Sequence, residues 1–341
     1  MQVTTIGLDL AKHVFQVHGV DALGAVALRR RVRRSEMVRF FGRLERCLVG
    51  MEACATAHHW ARTLQALGHE VRLIPPSYVK AYVKRNKNDA ADAEAICEAV
   101  MRPSMRFVAV KSVEQQGALM LHRSRELLIR QRTMLINALR GHMAEFGIIA
   151  AKGPANAGEL VALLADPADD RLPASALAAL RAIAAQLAMA DKQIAALHGE
   201  IVAWHRRSET SRRLAGVPGI GPVIASAIIA TVPDPSAFTS GRHFAAWLGL
   251  VPKQNATGGR PSLGRISKRG DRYLRRLLIN GAQSVLRWAK KGKSSAWLIG
   301  LLARRPRSVV AIALANKMAR IVWAMLSRGE DYRSEAIVSA A

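Results

Sequence analysis

A chain of 341 residues is long enough for two or three domains, and with half of its residues hydrophobic it can bury a sizeable core. It carries 51 Lys and Arg against 25 Asp and Glu, a net charge of +26 with an isoelectric point near 11.3, a balance that points to a polyanionic partner, nucleic acid by default. Cys47, Cys54 and Cys97 lie scattered without CxxC spacing, which argues against a zinc site or disulfide framework and for a reducing, cytoplasmic setting.

No apolar run reads as a membrane span and no signal peptide is visible, so no membrane partner is expected. The charge is uneven: residues 29–46 hold eight Arg and two Glu, and residues 253–320 hold 17 Lys and Arg against Asp271 alone. Arg29, Arg30, Arg31, Arg33 and Arg34 cluster at the end of a predicted strand as candidate nucleic-acid contacts, with their individual roles left open.

Residues 2–34 alternate with the period of strands, and three are predicted over 3–10, 14–18 and 25–32, with turn residues at 21–24. A helix is expected over 35–46, where Met37, Phe40, Phe41 and Leu44 fall at helical spacing. Residues 47–52 form a short apolar strand ending in an acid, 55–67 a helix closed by Gly68, and 70–74 a strand stopped by Pro75 and Pro76. A three-strand meander followed by alternating helix and strand predicts a mixed sheet with helices packed on it.

Lys87-Asn88-Asp89-Ala90-Ala91-Asp92-Ala93 then places two carboxylates three residues apart, ahead of a predicted helix over 94–102. On a helix such positions share a face, and two carboxylates aimed at one spot repel unless a cation lies between them. Oxygen-only donors of this kind suit Mg²⁺. The same acids could instead cap the helix and complement its dipole. Asp9 ends the first predicted strand and Glu52 the fourth, so if those strands are neighbours both carboxylates emerge at one sheet edge. An acidic spot inside a basic protein is what metal-dependent phosphodiester chemistry requires.

Residues 113–147 are helical in composition, with Leu121, Leu128 and Leu135 at heptad spacing, and a Gly/Pro/Asp-rich interval covers 147–173. A second long helix over 175–207 places Ile183, Leu187, Ala190, Ile194, Leu197, Ile201 and Trp204 at the rhythm of a coiled-coil or helical-hairpin seam. Such a segment serves as a dimerisation or spacing arm, or is an ordinary helical subdomain. Residues 214–222, with Gly219 and Gly221, resemble a helix-hairpin-helix turn that lets backbone amides approach a phosphate.

A helix end at 244–252 leads into what reads as a loop over 253–269, containing Thr257-Gly258-Gly259 and Ile266-Ser267-Lys268-Arg269-Gly270. The candidate nucleic-acid contacts are Lys12, Gly219, Gly221, Lys253, Gly258, Gly259, Arg260, Lys268 and Arg269. Helices over 271–288 and 308–327 finish the chain, and the tail from Gly329 is expected to fray.

Three blocks, Ile6-Gly7-Leu8-Asp9-Leu10-Ala11-Lys12, Gly50-Met51-Glu52-Ala53 and Lys87 to Ala93, and in the second half residues 216–221, 244–252, 257–259 and 266–270, closely resemble the DEDD transposases of bacterial insertion sequences, relatives of the Piv-type site-specific DNA invertases. The resemblance runs from about residue 4 to residue 327. It implies an α/β ribonuclease-H-like (RuvC-like) catalytic domain over 1–110, a helical coiled-coil linker over 111–210, a mainly α transposase domain with the helix-hairpin-helix-like motif over 211–330, and a tail over 331–341. It also implies a metal-binding catalytic tetrad, Asp9, Glu52, Asp89 and Asp92, holding two Mg²⁺ ions or Mn²⁺ in their place.

The implied partners are DNA, a structured guide RNA and further copies of the chain in a dimer or tetramer. The family forms a covalent link to DNA through a hydroxyl, usually a Ser before Gly; here that position is Thr257, with Ser262 and Ser267 nearby. The expected active site is composite, Thr257 meeting the tetrad of its own or a neighbouring protomer. Two other readings compete: a RuvC-like nuclease or junction resolvase using water as nucleophile, and an inactive nucleic-acid-binding protein, against which four acids in so basic a chain argue.

Overall fold

The computed structural model describes residues 2–83, 89–151, 153, 156–166, 169–257, 260–289 and 295–333. Lys87, Asn88, Gly258 and Gly259, named above, lie outside these residues, as do positions 334–341 of the tail. The chain gathers into two compact units, Met1–Gln115 with Thr231–His243, and Gln116–Ala230 with Phe244–Ala341.

The first unit is built on a five-stranded mixed sheet. β1 (Thr5–Asp9), β2 (Val14–Val20) and β3 (Val26–Arg33) form the expected antiparallel meander, and β4 (Leu48–Glu52) and β5 (Glu70–Ile74) add parallel strands in the order β3-β2-β1-β4-β5. The helix expected over 35–46 is smaller: a 3-10 turn, Arg34–Glu36, and α1, Met37–Phe41. Met37 and Phe41 are its only buried residues, and Gly42 closes it through a hydrogen bond to the Val38 carbonyl, so one turn exhausts its apolar anchor. α2 (Ala57–Ala66) joins it over one sheet face, where Ile6, Leu8, Phe15, Val17, Val32 and Trp60 form the main core. α3 (Pro76–Val79) leads towards α4 (Asp89–Val100).

α4 covers the opposite face, and two glycines let it come close. A methyl group on Gly7 would stand 2.1 Å from the Ala93 carbonyl oxygen and 2.4 Å from the Cys97 amide nitrogen; on Gly50 it would stand 2.7 Å from Val100 Cβ. Both glycines sit in the middle of the acid-bearing strands, so the helix lies directly on β1 and β4. We expect Gly7→Ala to destabilise the protein by about 1–3 kcal/mol, because the obstructing atoms are helix backbone and cannot rotate away. Thermal denaturation checks it, and an unchanged midpoint would mean that α4 lifts off freely.

In the second unit, α5 (Val113–Ala144), α6 (Ala157–Leu163) and α7 (Ala174–Arg207) share a core of Ile136, Leu139, Met143, Leu160, Leu180 and Leu187. α6 falls within the interval read as an interruption. Leu187, Ala190, Ile194 and Ile201 of the predicted seam are buried. α8 (Glu209–Leu214), α9 (Pro222–Thr231) and α10 (Gly241–Trp247) follow. The stretch read as a loop over 253–269 is largely a β-hairpin, β6 (Pro252–Thr257) paired antiparallel with β7 (Arg260–Ile266). Its two intervening residues are the Gly-Gly pair, a hairpin-turn signature the loop reading passed over. α11 (Arg272–Ala289), α12 (Ala296–Arg304) and α13 (Arg307–Arg328) complete the unit, α12 being unanticipated.

By length and composition α7 and α13 could cross a membrane, which corrects the reading that no run was long enough. Both place buried residues against their own unit, among them Leu187 and Ile201 on α7 and Val310 and Val322 on α13.

Candidate active site

Asp9 and Glu52 end β1 and β4, which are parallel neighbours. Their register ends on the pair Leu8 with Met51, and Asp9 and Glu52 are the residues that follow it on the two strands. Asp89 and Asp92 occupy the first turn of α4. Burial, and after it the charges of Asp92, Asp89 and Glu52, push the Asp9 carboxyl up to about 6, against the opposing hydrogen bond from the Leu10 amide. The Cys54 thiol is raised by burial and then by Glu52 and Asp9.

Three other carboxylates therefore act on Asp9 through space, a repulsion that a nearby cation would relieve. Among the described residues no three His, Cys, Asp or Glu side chains stand close enough together to hold a metal ion. The set is coupled through space, without shared liganding contacts. Its oxygen-only chemistry fits a hard divalent cation such as Mg²⁺, and Asp9, Glu52, Asp89 and Asp92 are the residues that would hold it.

The basic candidates are spread over other elements. Lys12 is exposed three residues beyond Asp9, and its carbonyl accepts a hydrogen bond from Arg34 Nε at 3.0 Å. Gly219 has φ +86°, and a Cβ there would stand 2.8 Å from the Gly281 carbonyl oxygen, so close packing on α11 already accounts for a glycine at this position. Gly221 meets nothing within 4 Å and is open to a ligand. Lys253 and Arg260 are exposed on the hairpin, and Thr257 is the last residue of β6.

Lys268 and Arg269 are also exposed, on a segment held by backbone contacts. A Cβ on Gly249 would lie 2.3 Å from the Arg269 carbonyl oxygen, and one on Gly270 1.8 Å from that of Trp247. Buried Arg275, which sequence reasoning missed, donates to the Leu248 and Arg269 carbonyls at 2.9 Å each. Its only signal was one more arginine in a basic stretch.

A second missed feature is a buried relay. Ser226 donates to the Pro222 carbonyl at 2.6 Å and accepts from His122 Nε2 at 3.0 Å, leaving His122 Nδ1 to accept from the Tyr273 hydroxyl at 3.0 Å. Burial holds His122 down to about 4 and pushes Tyr273 up to about 12, so the chain stays neutral and directed at physiological pH. It ties α5 and α11 to the start of α9, next to Gly221.

With net charge +26 and so many exposed cations, affinity for duplex DNA or structured RNA should fall by about 10³-fold between 50 and 200 mM salt, as condensed counterions cease to drive association. A filter-binding or anisotropy titration across that range would contradict the polyanion assignment if affinity barely moved.

Two family models match. Residues 6–148 match a transposase model of the DEDD type found in IS110 elements, and residues 211–296 match the transposase IS116/IS110/IS902 family. A Pseudomonas aeruginosa protein named "Probable family 20 transposase" is 53% identical over 336 residues, 98% of this chain and 99% of that one. The transposase for insertion sequence element IS1328 of Yersinia enterocolitica is 40% identical, covering 96% of this chain and 98% of that one. The transposase for insertion sequence element IS1111A of Coxiella burnetii is 40% identical, covering 98% and 92%.

Proposed function

This chain belongs to the IS116/IS110/IS902 family of DEDD insertion-sequence transposases, and we propose that it cuts and rejoins DNA with Asp9, Glu52, Asp89 and Asp92 as its metal-binding tetrad and Thr257 as its nucleophile. The observation that supports the tetrad is Asp9 at the end of β1, where burial first, and after it the charges of Asp92, Asp89 and Glu52 from a helix and another strand, raise its affinity for a proton.

Mg²⁺ bound by the tetrad supplies Lewis-acid polarisation of a phosphate and charge neutralisation. The chain's own residues do the rest. The Thr257 hydroxyl attacks the scissile phosphorus and gives its proton to solvent, forming a threonyl phosphodiester, while the deoxyribose oxygen that leaves takes up a proton. Attack by a deoxyribose hydroxyl of a second strand reverses the step and completes the exchange. Arg260, paired with Thr257 across the hairpin, stabilises the charge that develops on the phosphate oxygens, and Lys253, four residues back along β6, holds the DNA backbone. Gly258 and Gly259 admit close approach of the DNA backbone.

The turn between α8 and α9, with Gly219 and Gly221, acts as a helix-hairpin-helix contact to phosphate, and Lys12, Lys268 and Arg269 hold the nucleic-acid backbone. The functional segments follow the boundaries 1–110, 111–210 and 211–330, the middle one serving as a coiled-coil arm through which copies assemble. A structured RNA from the element's flank directs the choice of target, a role that rests on the family resemblance. The test is direct: purified protein, that flanking RNA, a DNA carrying the joined element ends and Mg²⁺ should yield a protein–DNA adduct and a recombinant product. Cleaved DNA without adduct would favour water as nucleophile, and neither product would sink the proposal.

A further inference from the structure

The geometry points to Arg31 as the residue that positions the scissile phosphodiester over the tetrad, holding a DNA phosphate in the groove between β3 and the first turn of α4. This rests on the tetrad being the cleavage site. The arginine cluster of β3 is sorted by the strand's alternation. Arg30 and Arg34 belong to the α1 and α2 face, where the Arg30 guanidinium lies 5.5 Å from the Phe40 ring centre, and that of Arg34 5.1 Å from Phe15 and 5.6 Å from Trp60. Val32, on the same face, is in the core. Arg29, Arg31 and Arg33 must then face the other way, towards the side that α4 covers.

Register separates these three. Asp9 pairs with Gln16, and Gln16 with Arg31, so Asp9, Gln16 and Arg31 form one row across three strands on a single face. Arg29 stands in the row of Gly7 and His18, and its guanidinium is engaged by Glu94 of α4 at 3.8 Å. Arg33 pairs with Val14, beyond the last residue of β1 paired with β2. Only Arg31 shares the row of Asp9, and among the described residues it forms no ion pair. Two strand spacings separate the two backbones by about 10 Å. That is too far for a direct pair between short side chains and about right for a long guanidinium to hold the phosphate next to the scissile one while the scissile phosphodiester lies over the carboxylates.

The space is there. A groove of about 400 Å³ is bordered by Gln16, Arg29, Arg30, Arg31, Ala91 and Glu94. The small side chains of Ala90 and Ala91, between Asp89 and Asp92, leave its helical wall low. A guanidinium binds a phosphodiester through two parallel hydrogen bonds, which fixes orientation as well as position. Neutral Gln16, between Arg31 and Asp9, can contact a phosphate oxygen without repelling it.

The test compares single-turnover cleavage at saturating DNA in the full-length protein. Arg31→Gln should slow cleavage by about 10²-fold, the cost of a misplaced reacting group, while Kd for DNA changes less than about 3-fold. Arg31→Lys should recover part of the rate, and Arg39→Gln, at an exposed arginine on α1, should cleave as wild type. Replacing the phosphate next to the scissile one by a neutral methylphosphonate should slow the wild type but cost Arg31→Gln nothing further. Wild-type cleavage by Arg31→Gln, equal loss in Arg39→Gln, or additive loss with the methylphosphonate would each overturn the inference. Asp9→Asn run alongside separates the two failures. If it cleaves normally the tetrad reading falls and Arg31 with it; if it is dead while Arg31→Gln is active, only Arg31 is wrong.

Discussion

Asp9→Asn should reduce DNA cleavage by at least about 10³-fold while leaving affinity for DNA within about 2-fold of the wild type, since it removes a charge from the metal-binding set and none from the basic surface. The substitution is nearly isosteric, and Asp9 is only half-buried at the end of β1, so the sheet has no reason to rearrange. Stability offers an independent readout. The folded state holds the Asp9 pKa above its ordinary value of 3.8, at about 6, so the ionised form is disfavoured in the fold. A carboxyl raised in this way adds nothing unfavourable below its unfolded pKa and weakens the fold as pH rises through the folded one.

In chelator at pH 7.5, Asp9→Asn should therefore be more stable than wild type, by about 1 kcal/mol after discounting the shift for the side chain's partial exposure. Near pH 4 the two proteins should melt alike. Denaturation at both pH values and a cleavage assay on the same preparations decide the matter. A variant that loses cleavage and DNA affinity together, or that melts lower at pH 7.5, would show Asp9 to be structural.

Thr257→Ala should abolish the covalent protein–DNA adduct, and Thr257→Ser should retain it, because serine keeps the hydroxyl and removes only the methyl branch that crowds it. The hairpin makes this test sharper than the sequence allowed. Thr257 pairs with Arg260 at one end of the β6–β7 ladder, and Pro252 pairs with Ile266 at the other. Ser267 follows Ile266 and bonds through its amide to the Val251 carbonyl at 2.8 Å. Six residue steps of extended chain, from Val251 to Thr257, therefore separate the positions of Ser267 and Thr257, about 20 Å, too far for either hydroxyl to replace the other at one phosphorus. Ser262 pairs with Asn255, two residues short of Thr257, and is exposed. Adduct mapping by mass spectrometry on Thr257→Ala would read the outcome. Persistent adduct moves the nucleophile to Ser262 or Ser267, and the peptide recovered says which.

Much of this was determined by local chemistry that a sequence carries openly. Apolar runs alternating with period two and closing on an acid mark both strand and strand end, so Asp9 and Glu52 were legible before any fold was known. The spacing of Asp89 and Asp92 marks one helical face. The helical arm declares itself by Leu187, Ala190, Ile194 and Ile201, all buried. Other features were settled only where distant segments meet. The hairpin over 252–266 passed for a loop because Lys253, Gln254 and Asn255 have little intrinsic strand preference; cross-strand pairing supplies it. Gly7 and Gly50 look like ordinary motif glycines until α4 lies on them, 86 and 50 residues further along at Ala93 and Val100. Alternation alone puts Arg29, Arg31 and Arg33 on one face and Arg30 on the other. Which face carries the acidic helix, and which arginine shares a row with Asp9, depends on strand order and register, and these arise from burying one sheet face under α1 and α2 and the other under α4.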